Sequence, residues 1–251
     1  MKIPPTHPRY ESLVRRELLA KGVKEGLVHI TGLIAHGRGE AFDYLIGEKT
    51  IEHALKAERA AVAAILIAKN PVISVNGNTA VLAGKELIEF AKEVKAKIEV
   101  NIFHRSRERL EKIVNYLYKL GAEKVYGLEE DARIPGLEQP RAICSKDGIF
   151  SADVVLVPLE DGDRCEALVR MKKTVIAIDL NPLSRTSRTA TITIVDDVTR
   201  AFRNMIEISK ELKRLDRREL TQIIESFDNM KNLQGVLDHI CKRLKTMYAY
   251  P

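Results

Sequence analysis

The chain has 251 residues, of which 45% are hydrophobic and 30% charged, with a formal net charge of +6. That is enough chain to bury a proper core and lacks the low-hydrophobicity signature of disorder. No apolar stretch approaches the ~20 residues that span a bilayer as a helix, so no membrane-spanning helix is expected.

The N-terminal "MKIPPTHPRYESLVRRELL" contains no apolar run that could act as a signal peptide, and a cytoplasmic location is expected. Cys144, Cys165 and Cys241 are odd in number and far apart. They fit neither a disulfide framework nor a zinc spacing. The basic residues are interspersed along helices such as "KELIEFAKEVKAK", without a basic block or an aromatic ladder, and read as solvated faces.

In chain order, three or four helices come first, and "HGRGEAFDY" (His36 to Tyr44) reads as an interruption among them. "VISV" (Val72 to Val75) reads as a buried strand, broken by Asn76-Gly77-Asn78, with Thr79 placed to cap a helix. Leu87, Phe90, Ala91 and Val94 give that helix one apolar face. In "KIEVNIF", Ile98, Val100 and Ile102 recur at period two, a second strand. Ser106 caps a helix burying Leu110, Ile113, Val114, Leu117 and Leu120, which Gly121 ends. "EKVYG" is a third strand. After a Pro/Gly loop (Leu128 to Gly148), "DVVLVP", "TVIAIDL" and "TITIV" read as three more. Helices over Thr199 to Lys213 and Leu220 to Met247 close the chain.

Strands alternating with helices predict an α/β, Rossmann-like three-layer domain with a mostly parallel sheet, flanked by N- and C-terminal helices. No linker divides the chain. Residues 1–251 read as one domain, with a helical part (1–70), a Rossmann-like core (71–198) and C-terminal helices (199–251). Terminal helices with spare apolar faces lead us to expect a homodimer.

Ligands of such sheets bind beyond the strand carboxyl ends, where three polar clusters fall. Asn76-Gly77-Asn78 precedes a helix whose free N–H groups can hold an anion, although "NGNTAVLAG" lacks the dinucleotide glycine fingerprint. His104-Arg105-Ser106-Arg107 lies where a 2′-phosphate clamp is placed in some nicotinamide enzymes, and Arg105 is the candidate ligand residue. "DLNPLSRTSR" carries the densest set. Asp179 sits at the rim, Asn181 suits a base edge or ribose, and Arg185 and Arg188 offer forks for phosphate, with Ser184, Thr186 and Ser187 adding hydroxyls.

Arg38 lies between two glycines near Glu40 and Asp43, and Arg16 can converge on it. Asp196 and Asp197 suit magnesium, a ribose or a helix N-cap. His36 and His104 read more readily as structural histidines than as catalytic ones. No P-loop, G-x-S-x-G or H-E-x-x-H motif occurs. The residues alone therefore indicate a Rossmann-like protein that binds a phosphorylated ligand.

Four segments in this order, "IPPTHPRYESLVRRE", "GLIAHGRGEAFDYLIGE", "SVNGNTA" and "DLNPLSRTSRTATITIVD", resemble the archaeal 4-phosphopantoate–β-alanine ligase (phosphopantothenate synthetase) family. The resemblance runs from Ile3 to the helix after Asp197. It implies a homodimeric enzyme of coenzyme A biosynthesis that joins 4-phosphopantoate to β-alanine and releases AMP and diphosphate, with magnesium. It places ATP on Arg16, Arg38, Asp179, Leu180, Asn181, Arg185, Thr186, Asp197 and Val198. Within that frame Arg38 and Arg185 are assigned to the phosphates as catalytic groups, and Asn76, Gly77, Asn78 and Arg105 to phosphopantoate. Small molecules are the expected partners, not nucleic acid or membrane. An NADP-dependent oxidoreductase acting on a phosphorylated substrate is the alternative reading. A basic nucleic-acid-binding module is a further one.

Overall fold

Six strands hydrogen-bond in the order β3-β2-β1-β6-β7-β8, every pair parallel, in the computed structural model of the chain. The structure describes residues 3–159 and 161–247. The strands are β1 (Pro71–Val75), β2 (Lys97–Val100), β3 (Val125–Tyr126), β6 (Val154–Pro158), β7 (Thr174–Ile178) and β8 (Ile192–Ile194). A small antiparallel pair, β4 (Ala132–Arg133) and β5 (Ile143–Cys144), lies in the loop after β3.

Side chains alternate across the sheet at period two. Ile73, Val75, Leu156, Ile176 and Ile178 face one apolar cluster, and Val72, Val155, Val157, Val175 and Ala177 face the other. The first cluster is closed by α1 (Tyr10–Lys24), α3 (Glu52–Ile67), α4 (Gly77–Val94), α5 (Arg107–Lys119), α8 (Val198–Leu212) and α9 (Arg217–Glu225). The ring of Phe90 on α4 meets Phe202 on α8 edge-on, with centroids 5.9 Å apart. The second cluster is closed by α6 (Gly162–Arg170) and the loop between β3 and β6. Both faces are covered, which is why these strands are nearly continuous in apolar residues. The expected three-layer α/β architecture is present.

Three local expectations need correction. "HGRGEAFDY" does not interrupt the early helices but lies inside α2 (Ile30–Ile46). The His29 side chain accepts from Thr31 N at its start, and Gly47, at φ 97°, ends it. The helix after β1 begins at Gly77 rather than after Thr79. Asn76 is the cap, its Oδ1 accepting from Thr79 N at 3.0 Å. The final helical stretch is two helices, α9 and α10 (Asn229–Met247), separated at residues 226–228.

Candidate active site

At β1 and β6 the strand order reverses, and the chain leaves the sheet in opposite directions. A cleft of about 630 Å³ opens there, beyond the carboxyl ends of β1, β2, β6, β7 and β8. Its floor includes the first turn of α4. Asn76 ties that turn to the neighbouring strand through Nδ2, which donates to Pro158 O at 2.9 Å. A Cβ on Gly77 would lie 2.2 Å from Leu27 O, so only glycine lets α4 start this close to the end of the α1–α2 connection.

Helix α2 forms the opposite wall, and two of its three glycines, Gly32 and Gly39, line the cleft. A Cβ on Gly32 would meet Asn78 Oδ1 at 2.3 Å, and Asn78 Nδ2 donates to Gly32 O at 2.8 Å. One on Gly39 would touch Leu180 Cδ1 at 3.6 Å. Gly32 is thus the glycine that close approach requires, whereas of the two read as a break Gly39 only touches Leu180 and Gly37 faces open space.

The loop after β7 is a self-bonded turn on the rim. Asp179 accepts from Asn181 N at 2.9 Å and from Ser184 Oγ at 2.6 Å. Ser184 caps α7 (Arg185–Thr189), and Ser187 Oγ closes back on Asn181 O at 2.7 Å. Asp179, Leu180, Asn181, Ser184 and Thr186 line the cleft. Burial raises the Asp179 pKa, against the bonds from Ser184 and Asn181 and the nearby charge of Arg38.

The two acids after β8 part company. Asp197 lines the cleft with Val198, caps α8 through Thr199 N and Arg200 N, and pairs with Arg15 Nη1 at 2.7 Å. Asp196 turns inward, 2.6 Å from Arg200 Nη2 and bonded by Thr50 Oγ1. Arg200 also grips Asp43 of α2. Asp197 takes the N-cap role, and it is Asp197, not Asp196, that reaches the cavity.

Among the arginines, Arg38 lines the cleft and makes no ion pair among the described residues. Three others are not brought there. Arg185 is half-exposed and paired with Asp163 on α6. Arg16 is held by Glu40, Nη2 to Oε2 at 2.6 Å. Arg105 is buried against Glu130 at 2.9 Å and Gly127 O at 3.1 Å, so its fork is turned away from Asn76-Gly77-Asn78. In its place Arg109 and Arg141 line the cavity. Arg109 is fixed by Leu27 O and His104 O, and Arg141 by Asn101 and Asp161. Neither is signalled by spacing. Arg109 sits in an ordinary amphipathic helix, and Arg141 comes from the long Pro/Gly loop.

Three histidines also line the cleft. His29 and His104 stack with ring centroids 3.6 Å apart, and Thr31 Oγ1 bridges them at 2.8 and 3.1 Å. His36 stands on α2 between Gly32 and Gly39. No group of three or more His, Cys, Asp or Glu side chains able to hold a metal occurs among the described residues. Asp179 and Asp197 are each already engaged as hydrogen-bond acceptors. The cleft thus lacks a preformed metal cage. Among the described residues no helix is long and apolar enough to cross a membrane.

A model of the family described as phosphopantothenate/pantothenate synthetase matches residues 53–243. The chain is 56% identical over 247 residues to the 4-phosphopantoate–beta-alanine ligase of Methanosarcina mazei, covering 98% of this chain and 97% of that one. It is likewise 56% identical over 245 residues to the enzyme so named from Thermococcus onnurineus, covering 97% and 94%. The corresponding ligase of Methanospirillum hungatei is 50% identical over 242 residues, covering 96% and 98%.

Proposed function

The chain belongs to the phosphopantothenate/pantothenate synthetase family, and from that premise we propose that it is an ATP-dependent 4-phosphopantoate–β-alanine ligase working in coenzyme A biosynthesis. One observation carries the reading at the level of geometry. A single cleft brings together the N-terminus of α4, the unpaired Arg38 and the Asp179-Leu180-Asn181 turn.

The nucleoside belongs against Asp179, Leu180, Asn181, Thr186 and the Asp197-Val198 step, and the triphosphate beside Arg38. Phosphopantoate belongs on Asn76, Gly77 and Asn78, with Arg109 supplying the charge first assigned to Arg105. Arg16 and Arg185 are rim residues that reach the triphosphate on leaving Glu40 and Asp163. The exposed Arg185–Asp163 pair contributes at most about 1 kcal/mol, so that swing is cheap, and Glu40 keeps its bond from Ser12 when Arg16 leaves. Magnesium enters with the triphosphate oxygens rather than on a protein cage.

The phosphopantoate carboxylate attacks the α-phosphorus, forming an acyl adenylate and expelling diphosphate. The β-alanine amine then displaces AMP. Negative charge develops on the transferring group, where Arg38 and the N–H groups of α4 are already oriented. Most of the acceleration is positional, consistent with the missing nucleophile motif. The whole chain acts as one ligase unit. A homodimer would cover Ile30 and Ile34, which stand one turn apart on α2 and are 64% and 66% exposed; light scattering tests it.

The oxidoreductase alternative loses the residue that favoured it, because Arg105 is tied to Glu130. Incubation with ATP, magnesium, phosphopantoate and β-alanine should yield phosphopantothenate by mass spectrometry, with no NADPH binding by fluorescence titration. NADPH binding without ligation would reverse the assignment.

A further inference from the structure

Of the three imidazoles in the cleft, two are occupied with each other: His29 and His104 stack and share the Thr31 hydroxyl. His36 differs. Its Nε2 is buried and makes no hydrogen bond to any described residue, although the ring borders the cavity. A structural histidine would have that nitrogen satisfied.

Its place on α2 locates it between the two halves of the site. One turn before it, Gly32 abuts Asn78 on the phosphopantoate side. One turn after it, Gly39 abuts Leu180 on the nucleotide side. His36 therefore stands beside the junction at which an acyl group carried by phosphopantoate meets AMP.

Resting on the ligase reading above, we propose that His36 Nε2 is the base that takes a proton from the β-alanine ammonium before it attacks the acyl adenylate. The freed lone pair forms the C–N bond. The C–O bond to AMP breaks, its electron pair leaving on the phosphate oxygen, and the second nitrogen proton passes to water. The charged neighbours suit this role. Arg15 and Arg16 from α1, together with burial, keep the ring neutral, whereas Glu40 on α2 and Asp197 ahead of α8 stabilise the imidazolium once formed. Burial is the largest of these influences, so the resting ring is a free base below its ordinary range.

The test separates the two half-reactions in His36→Gln. Phosphopantoate-dependent ATP–diphosphate exchange, measured without β-alanine, should stay within about threefold of wild type. β-Alanine ligation should fall about 100-fold or more. Capture of the adenylate by hydroxylamine, an amine largely unprotonated at neutral pH, should be unchanged. Equal losses in exchange and ligation, or unimpaired ligation, overturn the proposal. If the variant fails to fold, the wild type decides through kcat/KM for β-alanine. A plateau at neutral pH supports a protein base, and a continuous rise to pH 9 rejects it. No exchange in the wild type would defeat the adenylate reading and this step with it. Intact exchange with unimpaired ligation in the variant defeats this step alone.

Discussion

Asp197 Oδ1 lies 2.7 Å from Nη1 of Arg15, so the residue that caps α8 at the rim of the cleft also anchors the first helix of the chain. Both side chains are largely buried. Removing one partner of such a pair costs about 3 kcal/mol or more, because the other charge is left uncompensated.

Asp197→Asn should accordingly lower the melting temperature and weaken ATP binding together. Burial pushes the Asp197 pKa up, but the charge of Arg15, with the bonds from Thr199 and Arg15, outweighs it and holds the carboxyl below its ordinary 3.8. The stability from the carboxylate is present above that value and is lost as pH falls through the lower folded-state pKa. Thermal melts from pH 7 to pH 2 should show a shallower decline in the variant than in the wild type, because other lowered carboxylates, such as Glu40 and Asp153, remain in both. Equal acid sensitivity would remove Asp197 from the account.

Arg38→Ala should cripple ligation, by roughly 100-fold, while leaving the fold intact. The residue sustains no ion pair among the described residues, so stability does not depend on it. Loss of a charge aimed at the transferring phosphate costs about 3 kcal/mol of barrier, or roughly 100-fold in rate. Near-wild-type turnover with an unchanged melting temperature would refute the assignment.

Gly32→Ala addresses the phosphopantoate side. The new methyl would displace Asn78, whose Oδ1 it would meet at 2.3 Å, and disrupt the bond from Nδ2 to Gly32 O. A disturbance of about 1.4 kcal/mol would raise KM for phosphopantoate about tenfold, with KM for ATP much less affected. A rise confined to ATP would place phosphopantoate elsewhere.

Glu58 makes a prediction about alkaline stability. It is fully buried on α3, and burial first, then the charge of Asp196, pushes its pKa up to about 9. The folded chain keeps a proton that the unfolded chain releases near 4.5. Its stabilising effect is therefore complete below that value and is lost as pH rises through about 9, with a slope of at most about 1.4 kcal/mol per pH unit. Glu58→Gln, which mimics the protonated form, should flatten the alkaline decline in melting temperature. An unchanged decline would contradict this.

The sheet was readable because each buried strand is a short apolar run ending in polar residues, as in Val72–Val75 followed by Asn76. Ser106 was readable as a cap, and its side chain does accept from Arg109 N. Helix α2 was not, since Gly37 and Gly39 carry a helix cost of ~1 kcal/mol each, and only the packing around the continuous helix, such as Gly32 against Asn78, shows why it forms. The polar turns at strand ends were legible in place but not in aim. Sequence puts Arg105 and Arg185 near the right edge, whereas Glu130 and Asp163 decide where their long side chains point. Arg109, Arg141 and His29 reach the cleft from a helix, a loop and a helix cap that no local pattern connects.

The central claim is that the phosphopantoate carboxylate attacks the α-phosphorus of ATP. Phosphopantoate labelled with oxygen-18 in its carboxylate tests it most directly, read by mass spectrometry of the nucleotide products. The account predicts AMP carrying one labelled oxygen, with unlabelled diphosphate. ADP accompanied by labelled inorganic phosphate would mean attack at the γ-phosphorus and would contradict it.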